Sequence, residues 1–191
     1  SYADWSVASS DADRKAELKN NRGFTDAQLD DLFFGSDPKY TVYGGPSNGY
    51  IELANGFSAT IFENIETGDL SVAFRGTEPS WPYVDFITDI LALLGNPDGV
   101  LEDIFNQSDN ISDFLDSNNL LQGGQLTEQL NFTGHSLGGY LSLMATYKYS
   151  RSFGETFTYN GLGLNPIENF WEDIKSTFLS RPLDGAKIHN Y

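Results

Sequence analysis

Gln129-Leu130-Asn131-Phe132-Thr133-Gly134-His135-Ser136-Leu137-Gly138-Gly139-Tyr140 is where the chain declares its architecture. Residues 129–133 read as a short strand, and a helical run follows from Tyr140 to about Tyr149. Between them stands the spacing G-x-S-x-G, the pattern of a tight strand-to-helix turn with a serine at its apex. Such a turn holds its central residue at positive φ, a strained conformation for any residue but glycine. Side chains two positions to either side would collide with the turn, which explains Gly134 and Gly138. Ser136 would then project from the carboxyl edge of a sheet at a helix N-terminus, where developing negative charge is stabilised. The competing reading is a glycine-rich turn with an incidental serine. The strand before, the helix after and the extra Gly139 favour a nucleophile.

Working outward, Ser71-Val72-Ala73-Phe74-Arg75-Gly76-Thr77 reads as a strand ending in a polar turn. A serine nucleophile needs a second oxyanion donor from a loop of this kind. Thr77 offers its backbone N–H there, and Leu137 offers the N–H after the nucleophile. Arg75 reads as a structural anchor; the plainer alternative for Thr77 is a helix cap. Residues 57–62 form a preceding strand, joined through Ile65-Glu66-Thr67-Gly68-Asp69, a turn in which Gly68 is expected at positive φ. Thr156-Phe157-Thr158-Tyr159 is a further strand. Strands alternating with helices predict an α/β fold with a sheet flanked by helices, mostly parallel in its second half.

The N-terminal part is more local in character. A polar helix is expected around residues 13–19. Thr25-Asp26-Ala27-Gln28 is a capping box, opening a short helix through Leu29, Leu32 and Phe33 that ends near Gly35. Tyr40-Thr41-Val42-Tyr43 is β-prone and is stopped by Gly44-Gly45-Pro46. Between the upstream strand and Ser136 lie two helical patterns. One runs over residues 83–94, with Pro82 near its first turn, and is broken by Gly95-Asn96-Pro97-Asp98-Gly99. The other takes in Val100, Ile104, Phe105, Ile111, Phe114 and Leu115 with amphipathic spacing. A loop surrounds Gly123-Gly124.

Composition sets the outer bounds. The 191 residues favour one domain, with residues 1–56 as a helical and β-prone segment and 57–191 as the core. Eleven Lys and Arg against 27 Asp and Glu give a net charge of −16. That balance excludes a nucleic-acid partner and disfavours attraction to anionic membranes. No stretch approaches the roughly 18 apolar residues of a transmembrane segment. With no cysteine and two histidines, His135 and His189, no disulfide framework or multi-histidine metal site is available, and no cofactor is expected. Asp109-Asn110-Ile111-Ser112-Asp113 and Asp116-Ser117-Asn118-Asn119 are rich in oxygen ligands. They lack the spacing of a calcium loop and read as a solvated helix face.

Three segments together carry a family likeness. Val72-Ala73-Phe74-Arg75-Gly76-Thr77 with Asp85-Phe86-Ile87-Thr88-Asp89 resembles the oxyanion strand and following helix of class 3 lipases. Phe132-Thr133-Gly134-His135-Ser136-Leu137-Gly138-Gly139 resembles their nucleophile strand. Tyr159-Asn160-Gly161-Leu162-Gly163 resembles the Asn-Gly turn after the next strand. The likeness is nearest to bacterial, secreted lipase and phospholipase A1-like members. It implies an α/β-hydrolase-type sheet and a serine enzyme cleaving lipid-like esters, located outside the cell. Ser136 carries over as nucleophile, with Thr77 and Leu137 as oxyanion donors. In the family a lid lies within the stretch that corresponds here to residues 78–119, which is rich in aromatic and aliphatic side chains.

The order Ser, then Asp or Glu, then His leaves little chain after Ser136 for an acid and a base. His135 adjoins the nucleophile and is expected to be a packed residue of the elbow. Ala186-Lys187-Ile188-His189-Asn190-Tyr191 resembles the start of the strand that leads to the acid. His189 would then be an ordinary strand residue, and the fold C-terminally incomplete. The expectation is that Asp and His come from beyond Tyr191 or from a second chain. Two other readings stay open: a catalytically inactive hydrolase fold serving as a binding module, and a rearranged triad using His189 with Asp173 or Asp184.

Overall fold

A computed structural model describes residues 10–45, 49–53, 57–76, 109–159 and 185–191. Thr77, the 83–94 helical pattern, most of the expected lid stretch, residues 160–163, Asp173 and Asp184 lie outside the described residues.

The first helix, α1 (Asp11–Arg22), begins where the Ser10 side chain accepts from the Asp13 N–H and ends at Gly23, whose φ of 72° only glycine adopts without strain. The Thr25–Gln28 capping box forms in both directions and opens α2 (Asp26–Leu29). The chain does not continue as α-helix to Gly35, as its spacing predicted. It widens into a π-helical turn over Asp30–Phe34 and closes with the Gly35 N–H on the Asp30 carbonyl at 2.8 Å. A Cβ on Gly35 would sit 2.5 Å from that same oxygen, so glycine is needed here for close approach.

Strands β1 (Tyr40–Val42), β2 (Tyr50–Glu52), β3 (Ser58–Asn64) and β4 (Leu70–Phe74) follow. A described helix over residues 109–117, α3, leads to the small hairpin β5 (Leu121–Gln122) and β6 (Gln125–Leu126). Its turn is Gly123-Gly124, both at positive φ (59° and 77°), so the expected loop is a two-residue hairpin turn. Then come β7 (Leu130–His135), α4 (Leu137–Lys148), β8 (Thr156–Tyr159) and, after a 3₁₀ turn, β9 (Ile188–Asn190).

The fold is α/β. Among the described residues seven strands make one mixed sheet in the order β1-β3-β4-β7-β8-β9, with β2 also paired to β3. Pairing is antiparallel through β3–β4 and parallel from β4 to β9. The N-terminal strands thus belong to the same sheet as the core. The parallel strands all end at one edge, the edge at which ligands gather in open α/β sheets.

Alternation along the strands separates the two sheet faces. One face carries Ala59, Ile61, Val72, Phe74, Leu130 and Phe132, which pack with Ile111, Phe114 and Leu115 of α3 and with α4 in one buried cluster. Phe57, Phe74, Phe132 and Tyr149 follow one another at ring separations of 6.2 to 6.4 Å. Each large apolar side chain fully buried there contributes about 1.5–3 kcal/mol. Residues 138–147 of α4 are all buried, the signature of a helix enclosed on every side. The other side of α3 is solvated as the sequence suggests at Asp109, Asp113 and Asp116, which are exposed, but Asn118 departs from that reading: it is buried and donates to the Phe114 carbonyl. On the second face a smaller cluster of Leu18, Leu29, Val42 and Phe62 docks the N-terminal helices onto β1 and β3.

Candidate active site

The turn between β7 and α4 takes its shape from steric exclusion. Ser136 sits at φ 56°, ψ −121°, outside the regions open to ordinary L-residues. A Cβ on Gly134 would lie 2.2 Å from the Gly138 carbonyl oxygen, and one on Gly138 would lie 2.2 Å from that of Phe74. Both glycines of the motif are therefore demanded by contact. Each would carry a side chain into backbone that has no room to withdraw.

Ser136 is held on two sides. Its N–H donates to the Tyr159 carbonyl of β8 at 3.0 Å, and its own carbonyl accepts from the Tyr140 N–H at 3.2 Å. A serine at the N-cap ordinarily turns its hydroxyl back to accept from the first turn. Ser136 makes no such side-chain bond, so its Oγ is not committed to the helix. Leu137 is the first residue of α4, and its N–H has no carbonyl one turn back to bond. The site thus unites a half-buried serine hydroxyl, the first-turn N–H groups of a helix and the positive end of its 12-residue dipole.

The β4 turn arrives beside it. A Cβ on Gly76 would come within 2.6 Å of the His135 carbonyl oxygen and 3.6 Å of the Ser136 Cβ. Such proximity requires glycine and puts the residue before Thr77 against the serine. Arg75 is indeed anchored: its Nη1 lies 2.7 Å from Glu52 Oε1. Glu52 and its neighbour Tyr50 were missed in the sequence. Tyr50-Ile51-Glu52, β-prone and lying just before the Phe57 strand, is the signal from which they could have been read.

The histidines fall differently from one another. His135 is exposed rather than packed, correcting the sequence expectation. It shares the face of Asn131 and Thr133, because alternate residues of β7 leave the sheet on the side away from α4. His189 is a strand residue, as expected. It pairs with Phe157, which pairs with Thr133, so it stands three residues short of Ser136 and two strands away. That is about 10 Å along the strands and about 10 Å across them, beyond hydrogen-bond reach. Its ring is stacked on Phe157 at 4.8 Å, with Nε2 3.8 Å from Glu155 Oε2.

A cavity of about 460 Å³ opens on this same face. Gly134, His135, Arg75 and Tyr159 line its end beside the serine turn, and Leu32 and Phe33 line it too. Among the described residues no group of three or more His, Cys, Asp or Glu is gathered to hold a metal ion. Nor is any described helix long and apolar enough to cross a membrane.

Fold and turn define the class: an α/β protein with a strained serine at the carboxyl edge of its parallel strands. The chain belongs to the phospholipase-like family described as the Tle-like phospholipase domain, whose family model matches residues 7–191. That membership bears out the lipase-like resemblance at the level of a lipid-ester hydrolase family, though not its class 3 or A1 detail. No curated protein matches the chain.

Proposed function

We propose that the protein is a serine carboxylic-ester hydrolase acting on lipid-like esters, a phospholipase A1 or triacylglycerol lipase, through an acyl-enzyme on Ser136. The backbone of Ser136 carries the reading: a polar residue held at φ 56°, with its hydroxyl free of the helix it opens. Strain of this kind persists only where the surroundings over-determine it, and it gathers at reactive residues.

In this mechanism Ser136 Oγ attacks the ester carbonyl carbon and gives its proton to a histidine base. The carbonyl π pair moves to oxygen, where the N–H groups of Leu137 and Thr77 stabilise it. Collapse breaks the bond to the alcohol, which leaves with the proton from the base. Water then attacks the acyl-enzyme by the same route and releases the fatty acid. We place the acid after β9 and the histidine beyond it, in residues following Tyr191 or in a second chain. The apolar cavity between Gly134 and Phe33 suits the acyl chain. We place the protein's action outside the cell, a setting with which the −16 net charge is compatible.

A second reading, a catalytically silent binding module, draws on one observation: neither described histidine is placed as a base for Ser136. The deciding experiment is turnover of phospholipid and triacylglycerol by the protein in its native reading frame, beside Ser136→Ala. Loss of roughly 10⁴-fold or more in kcat, with the fold intact, is expected. Unchanged turnover by Ser136→Ala would remove Ser136 as nucleophile. Lipid binding without turnover by the unaltered protein would establish the binding module.

A further inference from the structure

Arg75 carries the chain out of β4 toward Ser136, and it is fastened at both ends. Its N–H donates to the Ser58 carbonyl at 3.0 Å. Its guanidinium meets Glu52, the side chains being 14% and 40% exposed respectively. The second carboxylate oxygen of Glu52 accepts from the Tyr50 hydroxyl at 2.8 Å. Tyr50 stays a neutral donor, because burial first, and then the bond to Glu52, push its pKa up to about 12. The register explains the convergence: Glu52 lies opposite Ser58, at the end of β3 that faces Phe74 through Ala59. One residue later, Gly76 is pressed against the His135 carbonyl and the Ser136 Cβ.

We propose that Glu52 is a positioning residue for the chemistry at Ser136, setting through Arg75 the path of the β4 turn past the serine. The proposal rests on the reading of Ser136 as nucleophile. The carboxylate is 40% exposed and screened by solvent, so its charge adds modestly to stability, and a Gln in its place still offers the largely buried guanidinium an acceptor. Placement is another matter: displacing a group that holds the reacting oxygen by about 1 Å lowers rates about a hundredfold. Glu52 therefore acts on rate far more than on folding.

The test uses the protein in its native reading frame, with Glu52→Gln, Arg75→Lys and Ser136→Ala. Glu52→Gln keeps an acceptor for Tyr50 while removing the charge that orders Arg75. Hydrolysis of a soluble nitrophenyl ester is followed with thermal unfolding and with the rate of fluorophosphonate labelling at Ser136. The proposal expects Glu52→Gln to lower kcat and the labelling rate by about 10- to 100-fold, with KM within about twofold and the melting temperature nearly unchanged. Arg75→Lys should retain part of the rate. Full kcat and labelling in Glu52→Gln overturn the positioning role, as does a loss that only tracks the unfolded fraction. If Ser136→Ala keeps its turnover, or the unaltered protein neither turns over nor labels, the nucleophile reading fails and the proposal falls with it. A silent Ser136→Ala beside a fully active Glu52→Gln removes the positioning role alone.

Discussion

Gly138 in the first turn of α4 lies directly against the backbone of Phe74 in β4, so closely that a Cβ on the glycine would stand 2.2 Å from the Phe74 carbonyl oxygen. The contact ties the helix start, two residues after Ser136, to the neighbouring strand. Gly138→Ala must move strand or helix, and overpacking of this kind destabilises by about 2 kcal/mol or more. Thermal unfolding should show a melting temperature about 4–8 °C lower for a chain of this size. A variant that melts with the parent would show that the turn has room to yield.

Ser136→Gly should act in the opposite sense on stability. At φ 56° and ψ −121° a glycine relieves strain that a serine carries, worth about 1 kcal/mol or more. The variant is expected to melt about 2–4 °C higher while losing turnover. A lower melting temperature would mean that the serine side chain stabilises the turn by contacts of its own.

Alkaline pH should unfold the protein through its tyrosines. Tyr140 and Tyr149 are raised above the ordinary 10.0, burial being the largest cause in each. Tyr50 is raised to about 12. A folded pKa above the unfolded one means that the unfolded chain releases protons first, so stability is whole below about pH 10 and declines as pH climbs toward each folded value. Lys148 runs the other way: burial lowers its pKa, and its contribution rises with pH until about the ordinary 10.5. Stability should therefore fall between about pH 10.5 and 12. In a spectrophotometric titration the Tyr140 phenol should ionise only as the far-ultraviolet signal collapses, and Tyr149 should ionise above the ordinary tyrosine range. Ionisation of Tyr140 with the fold intact would contradict this.

The capping box offers a purely local test. Thr25 accepts from the Gln28 N–H at 3.2 Å, and Gln28 Oε1 accepts from the Thr25 N–H at 2.9 Å. Thr25→Ala should destabilise by about 1 kcal/mol in urea, whereas Thr25→Ser should be nearly neutral. Equal loss in both would point to packing of the threonine methyl.

Local signals were read well wherever one segment specified itself. Thr156–Tyr159 and Leu70–Phe74 appear as strands at the positions their residues predicted, and the Thr25–Gln28 cap forms in both directions. Other features escaped because their cause is remote in the chain. β2 exists through its pairing with β3, and the Glu52–Arg75 pair bridges 23 positions. The π-helical turn at Asp30–Phe34 departs from the α-helical spacing that suggested it, beside a cluster in which Phe33 packs on Phe62 of β3 at 5.7 Å. α4 begins at Leu137 rather than Tyr140, since the turn itself supplies its first residues.

By itself, then, the sequence determined that a strand must turn sharply into a helix at Ser136, because only glycines fit two residues to either side. It also determined the acidic balance and the paucity of histidine. Tertiary structure alone decided what stands around that serine. Strand pairing brings Tyr159 to its N–H and Gly76 to its flank, and leaves His189 some three residues short. The physical reason is that steric rules act over a few residues, whereas register and sheet order arise from contacts between segments that no single stretch contains.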